Sequence, residues 1–188
     1  MSSNKNTFAL LGSTNHTDKD REKDDFYETP SQAIECLLKN EKFVGEIWDC
    51  ACGKNAIINI AKEFGYETYS SDLIERGVGA DIFDFLESNL NKDNIITNPP
   101  FKLALPFVKK ALESTKGKIA MMLRVQFLEG KERYDFFKDN PPSKVYVFAN
   151  RVNPIIDGKP YGSSAMCLCW FVWDKSYKGD TVIKWLKY

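Results

Sequence analysis

The amino-acid sequence predicts an α/β domain in which a mainly parallel sheet carries helices on both faces. Helical and strand patterns alternate from Phe26 onward, and alternating strands and helices favour a parallel sheet with crossover helices. Three strands end on a polar residue, Asp49, Asp72 and Asn98, and in such sheets ligands bind beyond the carboxyl ends of the strands. A length of 188 residues, 43% hydrophobic and 28% charged, suits one domain with its own core and excludes a fibrous or wholly disordered chain.

Residues 1–25 are rich in Ser, Thr, Asn, Asp and Lys and read as a polar N-terminal arm; residues 26–188 read as the folded domain. Pro30 suits a first helical position after Thr29, a capping residue. Ala33, Ile34, Leu37 and Leu38 follow at helical spacing. Ile47 and Trp48 form a short strand ending at Asp49. Ile57, Ile58, Ile60, Ala61 and Phe64 make a second helix, stopped by Gly65. Thr68 to Ser71 is a second strand ending at Asp72, and Ile82 to Phe85 a third extended piece. Ile95 to Thr97 forms a fourth, ending at Asn98. Leu103 to Leu112 is helical, Lys118 to Val125 a buried strand, Gly130 to Lys138 a helix and Lys144 to Phe148 a strand. Ala165 to Trp173 reads as a long final strand.

That last stretch is also the longest apolar run, far short of the ~20 residues that span a bilayer. The first residues lack the apolar core of a signal peptide. A soluble, cytoplasmic protein without membrane partners is expected. Five cysteines are an odd number, and Cys50/Cys52 and Cys167/Cys169 have C-x-C rather than zinc-type spacing. The only histidine is His16. No metal is expected, and the cysteines read as small buried apolar residues. Net charge is zero, but residues 1–98 carry 10 basic and 18 acidic side chains and residues 99–188 carry 16 and 8. The asymmetry fits either two solvated faces or a basic face for a polyanion.

Asp49-Cys50-Ala51-Cys52-Gly53 lies between a strand and a helix, where small residues let a ligand approach the backbone. It lacks G-x-G-x-x-G, which disfavours a pyrophosphate cofactor. Asp49 suits an amino group. Asp72, 19 residues after Gly53, stands where ribose hydroxyls are bound in βαβ nucleotide sites. Asp81 suits an adenine amino group.

Asn98-Pro99-Pro100-Phe101 is the sharpest motif. Pro99 forces Asn98 into extended backbone, and neither proline donates an N–H, so the carbonyls can accept from elsewhere. Asn98 offers a neutral acceptor and Phe101 an aromatic face. Together they suit a planar amine, such as the exocyclic amino group of a base. Accepting both hydrogens of that amine raises electron density on nitrogen as it becomes tetrahedral, without a metal or a strong base.

These motifs, in order from Asp24-Asp25-Phe26-Tyr27-Glu28-Thr29-Pro30 through Asp49–Gly53, Asp72, Asp81 and Asn98–Phe101, resemble S-adenosylmethionine-dependent DNA adenine N6-methyltransferases. The chain is closer still to methyltransferases encoded by bacteriophages and prophages, through Ser13–Thr17, Phe127–Gly130, Pro141-Pro142, Ser163–Ala165 and Trp170–Trp173. The resemblance implies a Rossmann-like class I methyltransferase fold whose seven-stranded sheet ends in an antiparallel hairpin. It implies S-adenosyl-L-methionine as cofactor and DNA as substrate. Phe26, Tyr27, Thr29 and Pro30 would border the methionine part of the cofactor. Asp49, Ala51 and Gly53 would contact its amino-acid end, Asp72 the ribose, Leu73 the flank of the adenine, and Asp81 and Ile82 its edge. Asn98 and the Pro99 carbonyl would hold the target amine beside Pro100, with Phe101 stacked on the flipped base.

The chain departs from the family loop at Cys50, where proline is usual, and at Asn55, where a second glycine is usual. Asn adopts positive φ more readily than most residues, so the turn can be kept, but its side chain falls where the cofactor approaches closely. No separate target-recognition domain is evident, so sequence choice would come from short loops, the Ser13–Asp25 arm, a recognition partner or a homodimer. Lys102, Lys109, Lys110, Arg124, Lys131 and Arg133 are either phosphate contacts or solvated helix faces. The same clamp would serve RNA or a protein glutamine, and an inactive module that binds nucleic acid or a host protein is the alternative of another class.

Overall fold

The structure, a computed structural model, describes residues 27–153, 155–156, 159–160 and 167–187. Phe26 and the predicted arm, residues 1–25, lie outside these residues. The strands are β1 (Ile47–Asp49), β2 (Thr68–Asp72), β3 (Asp81–Ile82), β4 (Asn94–Thr97), β5 (Lys118–Arg124), β6 (Lys144–Phe148), β7 (Ile155–Ile156), β8 (Lys159–Pro160), β9 (Leu168–Asp174) and β10 (Val182–Leu186). The helices are α1 (Ser31–Asn40), α2 (Ala56–Glu63), α3 (Ala104–Ser114) and α4 (Lys131–Asp139).

Eight strands form the main sheet in the order β10-β6-β9-β5-β4-β1-β2-β3, and β7 and β8 make a separate hairpin. β1 to β5 run parallel. β9 is antiparallel to both β5 and β6, which supplies the expected antiparallel pair. The expected count of seven is corrected by β10, which adds to β6 in parallel at the sheet edge. Val182, Ile183, Lys184 and Trp185 are exposed and only Leu186 is buried. An edge strand of this kind has no buried face to give it a hydrophobic pattern.

Side-chain alternation divides the core into two layers. Ile47, Ile96, Ala120, Met122 and Trp170 face Ile34, Leu37, Ile57 and Ala61 of α1 and α2. Trp48, Ile95, Ile119, Met121 and Phe171 face Phe107, Val108 and Ala111 of α3, with Phe136 and Phe137 of α4 packed at the margin. Helices thus cover both faces. The Trp170 indole N–H donates to the Ala33 carbonyl at 2.9 Å, fixing α1 on the sheet. At the end of α1 the Glu41 carboxylate is buried and accepts from Lys118 at 2.8 Å, Lys144 at 2.5 Å and Tyr146 at 2.6 Å.

Two local expectations change. α1 begins at Ser31; Pro30 is its cap, extended at ψ 139°, and its carbonyl accepts the Ala33 N–H. The Thr29 side chain is buried. The piece Ile82 to Phe85 resolves into the two residues of β3 and a 3-10 turn over Phe85–Glu87, capped by the Asp84 carboxylate on the Leu86 N–H at 2.8 Å.

Candidate active site

In the sheet order β1 lies between β2 and β4, so the chain leaves β1 toward one side and later returns to the other. This is the switch point at which α/β sheets open a crevice. A cavity of about 540 Å³ occupies it, lined from the segments 27–29, 49–57, 72–76, 84–86 and 98–107. That volume is in the ~300–1,000 Å³ range of small-molecule sites.

The loop after β1 forms one wall. Asp49 is 1% exposed, and its Oδ1 accepts the Ala51 N–H at 3.3 Å. The turn needs left-handed backbone twice, at Gly53 (φ 54°) and Asn55 (φ 64°). Within residues 49–57 only Asn55 does not line the cavity. Its Nδ2 donates to the Val78 carbonyl at 3.2 Å, so the side chain at the unusual position is turned onto the neighbouring loop. Two further bonds tie the loop to β2: Cys52 N–H to the Ser71 carbonyl at 3.0 Å, and Gly53 N–H to Asp72 Oδ2 at 2.7 Å. Asp72 Oδ1 accepts the Ile74 N–H at 2.9 Å. Each carboxylate oxygen of Asp72 therefore holds one backbone donor and keeps acceptor capacity for another.

Burial, with the Asp72 carboxylate nearby, pushes the Asp49 carboxyl up to about 7. Burial likewise pushes the Cys50 thiol well up and the Cys52 thiol up to about 12, with Asp49 adding to both. These thiols stay protonated, unlike metal-binding or nucleophilic cysteines. Among the described residues no cluster of three His, Cys, Asp or Glu side chains could hold a metal, and no helix is long and apolar enough to cross a membrane.

The tetrapeptide follows β4 directly. Asn98 and Pro100 line the cavity, and Pro99 between them is buried. Asn98 Nδ2 donates to the Tyr27 carbonyl at 2.9 Å. The Tyr27 and Phe101 rings stack at 6.1 Å, 20° from parallel, and the Arg124 guanidinium lies over Phe101 at 4.6 Å. Phe101 thus backs Tyr27 instead of lining the cavity itself. The segment before α1 is fixed by paired bonds between Glu28 and Ile155, both 3.0 Å.

Of the expected site residues, Tyr27, Thr29, Asp49, Ala51, Gly53, Asp72, Leu73, Asn98 and Pro100 converge on the cavity. Pro30, Asp81 and Ile82 do not. Asp81 is exposed and accepts from the Tyr69 hydroxyl at 2.5 Å, and Ile82 is exposed beside it. Asp84 and Leu86 line the cavity in their place. β3 has only two residues, so strand-end reasoning stops too early; the Asp84 capping turn is the sequence feature that could have located the wall. Lys54 and Arg76 also line the cavity without belonging to any motif.

An open sheet of this order, its ligand crevice at the β1/β4 switch point, defines the Rossmann-like class I methyltransferase fold, and the chain has it. Solved structures agree. An RNA methyltransferase, so proposed, from Pyrococcus horikoshii superposes with TM-score 0.62 at 16% identity, over 92% of this chain and 98% of that one. A predicted O-methyltransferase from Agrobacterium tumefaciens gives 0.55 at 11% identity, over 82% and 85%. A dimethyladenosine transferase from Plasmodium falciparum gives 0.53 at 12% identity, over 79% and 62%. No protein-family model matches the chain, and no curated protein matches it in sequence.

Proposed function

We propose that the protein transfers a methyl group from S-adenosyl-L-methionine to the exocyclic N6 amino group of adenine in DNA. The observation that carries this reading is the position of Asn98, lining the cavity that also contains Asp49 and Asp72, with its nitrogen end committed to Tyr27. The lining suits the cofactor: carboxylates for an ammonium and for ribose hydroxyls, and apolar Leu73, Ile74 and Leu86 for a flat base. Asp49 and the backbone of Ala51 and Gly53 would hold its amino-acid end, Asp72 its ribose, and Leu73 with Asp84 its adenine. Bound there, the cofactor supplies an electrophilic methyl group.

Asn98 Oδ1 and the Pro99 carbonyl accept the two hydrogens of the target amine. This keeps the nitrogen lone pair out of the ring and stabilises positive charge as the new N–C bond forms. The surplus proton leaves to solvent, so no strong base is required. Tyr27, backed by Phe101, offers the stacking face for a flipped base. The turn of Asn55 toward Val78 favours a working cofactor site over an inactive module. A role in phage or prophage DNA modification follows from the sequence resemblance.

The test is transfer of labelled methyl from the cofactor to adenine-containing DNA, with nucleoside digestion to locate the label. N6-methyladenine formed by the parent chain and lost in Asn98→Ala is the expected result. Cofactor binding with label appearing only in RNA or on glutamine, or not at all, overturns the DNA reading.

A further inference from the structure

A second cavity of about 210 Å³ lies on the other side of Phe101. Lys102 lines both cavities, so the tetrapeptide and its first helical turn form the partition between them. The second lining holds three cations, Lys102, Arg124 and Arg133, and no carboxylate. Among the described residues none of the three is ion-paired. Arg124, at the end of β5, has a buried Nε with no hydrogen-bond partner. Arg133, in the first turn of α4, is braced by the Glu129 carbonyl at 2.5 Å and lies over the Phe127 ring at 5.5 Å.

An aromatic-backed guanidinium with unspent donors is built for a phosphate oxygen. The cavity is smaller than the ~300 Å³ lower bound of whole-ligand sites, so it suits one group of a larger molecule. Phe101, the last residue of the tetrapeptide, lines it, which puts that group next to whatever sits at Asn98.

We infer that the pocket of Lys102, Arg124 and Arg133 binds a backbone phosphodiester next to the target nucleotide, making the substrate a polynucleotide strand instead of a free nucleoside. This rests on the proposed base-directed reading of the neighbouring cavity. The chain would then read strand and target base through two cavities divided by Phe101.

The experiment measures fluorescence anisotropy of a short single-stranded adenine-containing DNA with the full chain, over a salt series, with an RNA of the same sequence in parallel. Arg124→Gln and Arg133→Gln are compared with Lys138→Gln, which removes an exposed cation of the same helix outside the cavity. Each arginine variant is expected to weaken DNA binding about 3- to 10-fold and to lower the salt slope by roughly 0.7–1. Lys138→Gln is expected to stay within about twofold on the same scale. Cofactor affinity of Arg133→Gln, by calorimetry, should not change. Arg133 is on a helix with no fully buried residue, so its variant keeps the fold even if Arg124→Gln disturbs Phe101. Arginine variants that match Lys138→Gln overturn the inference, as does a loss confined to RNA. Failure of the methyl-transfer reading would instead show as absent cofactor binding, with DNA binding and its arginine dependence still measurable.

Discussion

The side-chain nitrogen of Asn98 donates to the backbone carbonyl of Tyr27 at 2.9 Å, across 71 positions of sequence. A carbonyl can only accept, so this bond fixes which end of the amide is which. Oδ1 is the end left to accept, in the proposed reaction from the target amine. Asn98→Ala removes that acceptor and should lower methyl transfer about 100- to 1,000-fold, the usual cost of one preorganised polar group at a charge-developing centre. Cofactor affinity, measured by calorimetry, should hold within about twofold, because the loss acts on the transition state alone.

Asp49 sets a pH dependence. Its folded value, raised to about 7 by burial and by Asp72, means that the neutral form is favoured in the empty site. A cationic ligand favours the ionised form, so cofactor affinity should increase as pH rises through about 7 and level off above it. Stability moves the other way: the raised value contributes stability below the ordinary carboxylate range, and this is lost as pH rises through about 7. Calorimetric titrations on either side of that pH should show the affinity trend in the parent and a flat profile in Asp49→Asn.

Glu41 provides the opposite case. Burial alone would raise its pKa, but the bonds from Lys118, Lys144 and Tyr146 outweigh burial and hold it below the ordinary value. Its contribution is therefore present above the ordinary glutamate pKa and is lost as pH falls through the lowered folded value. Glu41→Gln should cost about 1.5–3 kcal/mol at neutral pH, the scale of hydrogen bonds to a charged group. Thermal melts of the two proteins should converge as the solution is acidified.

Asn55 holds φ 64°, a conformation costing most residues roughly 1–2 kcal/mol. Asn55→Ala should lower the melting temperature by about 2–6 °C in a domain of this size. Asn55→Gly restores an easy left-handed backbone and should melt close to the parent. Because the Asn55 side chain meets Val78 and not the cavity, cofactor affinity of Asn55→Gly should stay within about twofold, which calorimetry checks.

The strongly periodic parts of the chain were legible in the sequence. β5, β6 and α3 lie within a residue or two of expectation: Ile119 to Leu123 form one continuous buried run, Val145, Tyr146 and Phe148 are buried in β6, and α3 buries Leu105, Val108 and Ala111 at helical spacing. β10 was not legible, since Ile183 and Trp185 face solvent and pairing with β6 comes from the backbone ladder. In the site, strand ends located Asp49, Asp72 and Asn98, because polar residues closing buried strands have one place to go. Asp81 and Asp84 could not be ranked that way: which of two carboxylates three residues apart turns inward depends on a 3-10 turn and on the Tyr69 hydroxyl. Arg124 and Arg133 carried no local signal that they share a cavity, since β5 and α4 meet there only through tertiary packing.

The tie between Glu28 and Ile155 has a bearing on where the working unit begins. Every described helix and every described strand of the main sheet lies at or after Ser31, so a truncation there would keep the residues of all of them. Such a fragment would lack the tyrosine whose carbonyl orients the asparagine and whose ring lies against Phe101. The smallest piece competent for the proposed methyl transfer therefore extends upstream of α1, and a shortened chain that still folds is expected to hold its amide loosely and turn over slowly.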